Sequence, residues 1–161
     1  MANSDTIFLA GRESLDVLVG WLVGVLALES VDDPELRAGQ FFLRGSARTV
    51  DGRVLLVVGP NVYGAEDPEP RDVSAIDRYS GVISVRVAGS RNEATQAGEA
   101  RAIFDELVAS EPSVALVLAQ AMSWIVAAYL PGAGAHVFPP ETSLDVEDIE
   151  SWRPWVPDEH V

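Results

Sequence analysis

The chain has 161 residues and a formal net charge of −14, because 25 acidic residues face 11 arginines and no lysine. This charge disfavours nucleic acid as a ligand, since such binding depends on neutralising phosphates. The absence of cysteine excludes disulfides and thiolate chemistry, and apolar residues make up 48% of the chain, enough for a buried core. We predict one globular domain over residues 1–140, followed by an acidic, tryptophan-containing segment, 141–161, that packs on it or faces a partner.

The first predicted elements are a strand over residues 6–10 and a helix that Ser14 caps and that runs to about Leu28. Apolar residues surround this helix on nearly every side, so we expect a central element. Gly20 and Gly24 are spaced to allow a sheet or helix to approach closely. The apolar run of this helix is about 12 residues, too short to cross a membrane.

A β region follows a charged loop. Residues 40–50 and 53–58 predict two strands, and the Asp51-Gly52 pair between them predicts a tight hairpin. Apolar and polar residues alternate over 81–88, which predicts a strand with one buried face and one wet face.

A second helix is predicted over residues 93–109, with Asn92 as its cap and a single apolar stripe that packs on the sheet. Residues 113–130 fit either two strands or one helix, and we favour two strands. A short acidic helix is expected near residues 145–150. The predicted order is β-α-β-β-β-α-β-β, an α+β fold with two helices packed on a mostly antiparallel sheet.

No stretch of the chain carries a specific catalytic, cofactor or metal motif, so we predict no catalytic, cofactor or metal residue. The glycines before His136 begin like a dinucleotide loop, but the third glycine and the following helix are missing. An enzyme of unrecognised type remains an alternative. It would combine Asp77, Tyr79 and His136 in a pocket lined by loops.

The carboxylates cluster at residues 29–35, 66–77 and 141–150. Clustered negative charge accelerates association with basic proteins and rejects acidic ones. Large aromatic residues, here in the tail, often anchor protein interfaces. The predicted partner-binding residues are Asp32, Asp33, Glu35, Glu66, Asp67, Glu69, Asp72, Asp77, Glu147, Asp148, Trp152 and Trp155.

These features favour a small cytoplasmic protein that binds another protein, and among such proteins an immunity or antitoxin-type inhibitor that occludes the cationic active site of a basic toxin enzyme. We expect no nucleic-acid or membrane partner and no cofactor. One alternative is an accessory or self-associating scaffold, in which the first helix and the tail pack against a second copy to form a homodimer. For the tail itself, the tryptophans fold back over the core or face the partner.

Overall fold

The computed structural model describes residues 5–158. Its centre is an eight-stranded antiparallel sheet in the order β2-β3-β4-β5-β1-β6-β7-β8. In chain order the strands β1 to β8 are Thr6–Ala10, Glu29–Val31, Phe41–Ser46, Arg53–Pro60, Gly81–Val87, Ala115–Gln120, Trp124–Leu130 and Gly134–Val137. The mixed α+β class and the antiparallel sheet predicted from the sequence are confirmed.

Strand β1 lies in the middle of the sheet, between β5 and β6. Every residue of β1 is buried, and successive side chains enter opposite faces. Ile7 and Leu9 therefore belong to one core cluster, whereas Phe8 and Ala10 belong to another. The sheet consequently has two buried faces with different covers.

Two helices, α1 (Leu15–Leu26) and α2 (Glu93–Ala109), cover the first face, which we call the helix face. Asn92 caps α2 as predicted, because its side-chain oxygen accepts the backbone N–H of Thr95 at 3.0 Å. Fully buried side chains between sheet and helices include Leu22, Leu26, Leu43, Leu56, Ile83, Ile103, Phe104, Leu107 and Leu116.

The second face, which we call the loop face, lies under the long β4–β5 loop, residues 61–80, and the C-terminal segment, residues 138–156. This segment contains one short helix, α3 (Ile149–Trp152). The buried side chains on this face include Phe8, Ala75, Ile76, Tyr79, Val82, Phe138, Leu144, Trp152 and Val156.

The element order differs from the prediction at both sheet edges, where β2 and β8 are additional strands. The predicted hairpin is also different, because β3 ends at Ser46 and not at residue 50. Residues 47–52 form a wider turn, since the buried Glu99 carboxylate of α2 accepts the backbone N–H groups of Arg48 and Thr49. Residues 113–130 form two strands, as favoured from the sequence.

Helix α1 is not the central element that its composition suggested. It lies outside the sheet with one face exposed, and Val17 on that face is 53% exposed. Gly20 and Gly24 are exposed as well, and no atom beyond the adjacent residues and the helix's own backbone lies within 4 Å of where a Cβ would stand on either. The close approach inferred for this glycine pair is therefore wrong. Strand β5 also departs from prediction, since Val82 on its expected wet face is buried beneath the loop face cover.

Candidate protein-binding surface

Two of the acidic clusters leave the sheet at the same end. The β2–β3 loop, residues 32–40, leads into β3, whose first residue Phe41 pairs with Val58 near the end of β4. The β4–β5 loop, residues 61–80, starts from this same end, because Gly59 near the end of β4 pairs with Val82 near the start of β5. The antiparallel register therefore brings loops 32–40 and 61–80 together, although they are separated in sequence by two strands.

The third cluster adjoins the second on the loop face. The backbone N–H of Ala75 donates to the carbonyl oxygen of Leu144 at 2.8 Å. The 3₁₀ turn Pro70–Asp72 also contacts the 3₁₀ turn Val146–Asp148. The fold thus joins the acidic segments 66–77 and 141–150, which lie far apart in the sequence. We call loops 32–40 and 61–80 with segment 141–150 the acidic surface.

Most of the acids chosen from the sequence are exposed on this surface. They are Asp32, Glu35, Glu66, Asp67, Glu69, Asp72 and Glu147. Three arginines near the β3–β4 turn pair with acids outside this surface. Arg44 and Arg53 pair with Glu29 at 2.6 and 3.9 Å, and Arg48 pairs with Glu106 at 2.7 Å. The hydrogen bond from Arg44 and its charge lower the pKa of Glu29.

Three of the chosen acids are half-buried and hold the loops in shape. Asp33 accepts the backbone N–H of Glu35 at 2.9 Å. Asp77 accepts the N–H groups of Ala65 and Ser74 at 3.0 and 2.8 Å, and Asp148 accepts that of Ser143 at 2.6 Å. These three carboxylates fix the backbone that carries the exposed acids. Sequence reasoning alone did not distinguish the three structural acids from the exposed ones.

The tryptophans of the tail fold back on the loop face. Trp152 is 2% exposed, and its indole N–H donates to the carbonyl oxygen of Asp145 at 3.0 Å. Trp155 is half-buried and stacks on His136, with ring centroids 4.6 Å apart and planes 8° apart. Trp152 thus belongs to the core and is left out of the acidic surface, whereas Trp155 keeps a partly accessible edge.

Beside the acidic surface lies a shallow open depression of about 430 Å³. Asp32 and Asp33 line it together with the half-buried rings of Phe41 and Phe42. A second depression of about 520 Å³, near Arg44 and Arg53, has a mainly polar lining. Both are open to solvent, so neither encloses a small molecule in the way that a typical ligand pocket does.

The residues of the enzyme alternative are not assembled into one site. Both carboxylate oxygens of Asp77 accept backbone N–H groups. Tyr79 is buried against Phe8 of β1, whereas His136 lies on β8, three strand positions away. At about 4.8 Å per strand, β1 and β8 lie about 14 Å apart in the sheet. Proton transfer requires hydrogen-bond reach or one bridging water, whereas the Tyr79 hydroxyl is buried without a hydrogen-bond partner.

Sequence reasoning missed two apolar residues on the acidic surface, Val62 and Tyr63. They are 78% and 55% exposed, the highest values among the large apolar side chains of residues 5–158. Their signal in the sequence is an apolar pair inside a loop otherwise rich in proline, glycine and acid. Loop composition alone gave no means of telling an exposed pair from a buried one.

The chain matches no known protein family, no curated protein and no solved structure. Within residues 5–158, no helix has the length and apolar character needed to cross a membrane. The same described residues contain no group of three or more histidine, aspartate or glutamate side chains placed to hold a metal ion.

Proposed function

We propose that this protein binds a basic protein of the cytoplasm through the acidic surface and inhibits it by occlusion, as an immunity or antitoxin-type protein would. The observation that carries the proposal is the contact between the acidic segments 66–77 and 141–150, which are distant in sequence, together with the emergence of loop 32–40 at the same end of the sheet as loop 61–80. Such a surface attracts a cationic substrate cleft and competes there with phosphate or nucleotide.

Two further features support a recognition role. Asp33, Asp77 and Asp148 fix the loop backbones by hydrogen bonds, so binding costs little ordering of the loops. The exposed acids also repel one another when the protein is free, and a basic partner relieves this repulsion. The surface therefore has both the charge and the rigidity that fast, specific association requires.

The test is affinity capture from the native lysate at low salt, followed by elution in salt steps and mass spectrometry. The bait variant Asp67→Asn/Glu69→Gln removes two exposed acids of the acidic surface. The control Asp51→Asn/Glu93→Gln makes the same change in net charge at the opposite end of the sheet. We expect one basic protein at near-equal amounts with the wild type and the control, eluting at moderate salt, and a weaker yield with the first variant.

An interaction that ignores salt, or one that both double variants weaken equally, contradicts recognition by the acidic surface. The captured protein is then assayed alone and with the inhibitor. Loss of its activity at a one-to-one ratio supports occlusion, whereas unchanged activity favours the accessory or scaffold alternative.

A further inference from the structure

Charge alone steers an encounter, but close-packed apolar contacts at the centre of an interface usually supply most of its affinity. The acidic surface contains such a pair. Val62 and Tyr63 stand in solvent at the start of loop 61–80, beside the exposed acids Glu66, Asp67 and Glu69.

The pair is held in place by its neighbours. The Asn61 side chain accepts the N–H groups of Tyr63 and Gly64 at 2.9 and 3.3 Å. It also donates to the carbonyl oxygens of Ile76 and Tyr79 at 3.0 and 2.8 Å, across the base of the loop. This amide therefore ties both ends of the loop together, and the turn that carries the pair is pre-organised.

The ring of Tyr63 is further fixed from below. It meets Phe8 of the central strand edge to face, with centroids 6.3 Å apart and planes at 83°. One edge of the tyrosine thus rests on the core while more than half of the side chain stays in solvent. A rigid aromatic side chain loses little conformational entropy on binding, which suits it as an anchor.

The charge around Val62 and Tyr63 indicates which kind of protein binds there. Loop 61–80 carries five acids against two arginines. A second copy of this chain would bring another net charge of −14 to the same place, so self-association here is opposed by repulsion. A basic protein whose apolar pocket is rimmed by lysine or arginine complements both the apolar centre and the acidic surroundings.

We infer that Val62 and Tyr63 are the apolar anchor of the contact with the basic partner, inserted into a pocket of that protein while the surrounding acids pair with its rim. This inference rests on the proposed function and adds the residues that supply its affinity. The acids set the association rate and the salt dependence, and the anchor sets the lifetime of the complex.

The experiment uses the basic protein that the wild type retains at low salt, purified and titrated by calorimetry over a series of salt concentrations. The variants are Tyr63→Ala, Asp67→Asn/Glu69→Gln and the control Val17→Ala, which truncates an equally exposed apolar residue on α1. We expect Tyr63→Ala to weaken binding at least tenfold with an unchanged salt slope. The acid variant should reduce the slope, and Val17→Ala should stay within twofold of the wild type.

Tyr63→Ala also removes the ring contact with Phe8 and could loosen the loop. Val62→Ala is the second variant because Val62 is mostly in solvent and its truncation leaves that contact intact. It should weaken binding about threefold or more. If Tyr63→Ala and Val62→Ala both bind within twofold of the wild type while the acid variant loses salt dependence, the anchor is refuted and the proposed function stands. If the wild type retains no basic protein, the proposed function fails and the anchor fails with it.

Discussion

The two faces of the sheet are buried by different means. On the helix face, aliphatic side chains and Phe104 from two regular helices pack against the strands. On the loop face, the cover is made of loop 61–80 and the C-terminal segment, which have little regular structure. Loop 61–80 and segment 141–150 of the acidic surface belong to this second cover. We expect the helix face to supply most of the folding stability, whereas the loop face carries most of the surface for which we propose a role in recognition.

The strongest test of this comparison truncates one phenylalanine on each face. Phe104→Ala should lower the free energy of unfolding by about 3–5 kcal/mol, because Phe104 is 1% exposed between helix and sheet. Phe138→Ala, at a residue 6% exposed near the edge of the loop face, should cost about 2 kcal/mol, because the loops can relax around it. Urea unfolding followed by circular dichroism measures both. Equal losses would contradict the division between the faces.

A second test breaks the polar link between α2 and the β3–β4 turn. Glu99 is fully buried and accepts the N–H groups of Arg48 and Thr49 and the Thr49 hydroxyl, all within 3.0 Å. Glu99→Ala should cost about 2–3 kcal/mol, because it leaves these donors unpaired. Glu99→Gln, which keeps an acceptor oxygen, should cost less.

Glu106→Ala serves as the control for the Glu99 variants in the same unfolding experiment. Its carboxylate pairs with Arg48, but the side chain is 43% exposed, so the loss should stay under about 1 kcal/mol. A loss at Glu106 as large as that at Glu99 would show that the ion pair, rather than the buried carboxylate, supports the turn.

A third test uses a buried carboxyl group before β1. Burial, with a smaller contribution from Glu93, raises the pKa of Asp5 to about 6. Its protonated form is therefore favoured in the folded state, and the associated stability is complete below about pH 4 and lost as the pH rises through 6. Asp5→Asn should raise stability at pH 7.5 by about 1–2 kcal/mol and flatten the pH dependence between 4 and 6. A pH series of unfolding curves that is identical for both proteins would refute this role.

The smallest expected effect compares two buried tyrosines on opposite faces. On the helix face, the Tyr129 hydroxyl donates to the carbonyl oxygen of Pro112 at 3.1 Å. On the loop face, the Tyr79 hydroxyl is buried without a hydrogen-bond partner, and burial raises its pKa. Tyr129→Phe should cost about 1 kcal/mol, whereas Tyr79→Phe should cost nothing or add up to about 1 kcal/mol. A loss of similar size at both positions would show that the Tyr79 hydroxyl is satisfied in solution.

Local patterns in the sequence predicted the strands β1, β6 and β7 and the capped helix α2, because their periodicity and caps lie within short windows. They did not predict the edge strands β2 and β8. Each has only three or four residues and depends on a neighbour already in place. The tight hairpin failed for a similar reason, since a carboxylate about 50 residues further along the chain shapes the turn.

The candidate site was predictable in composition but not in arrangement. The acidic clusters were visible in the sequence, yet their union depends on strand register and on the contact between residues 75 and 144. The roles of Asp77 and Trp152 also depend on tertiary contacts, since one fixes a loop and the other fills the core. Exposure of Val62 and Tyr63 could not be read from an apolar pair in a loop.

The central position of β1 also bears on how the chain folds during synthesis. Its two neighbours are residues 81–87 and 115–120, so β1 leaves the ribosome long before either can pair with it. Contacts this distant in sequence slow folding, and an unpaired apolar strand is prone to aggregate in the meantime. We therefore expect the nascent chain to be most prone to aggregation until β6 has emerged.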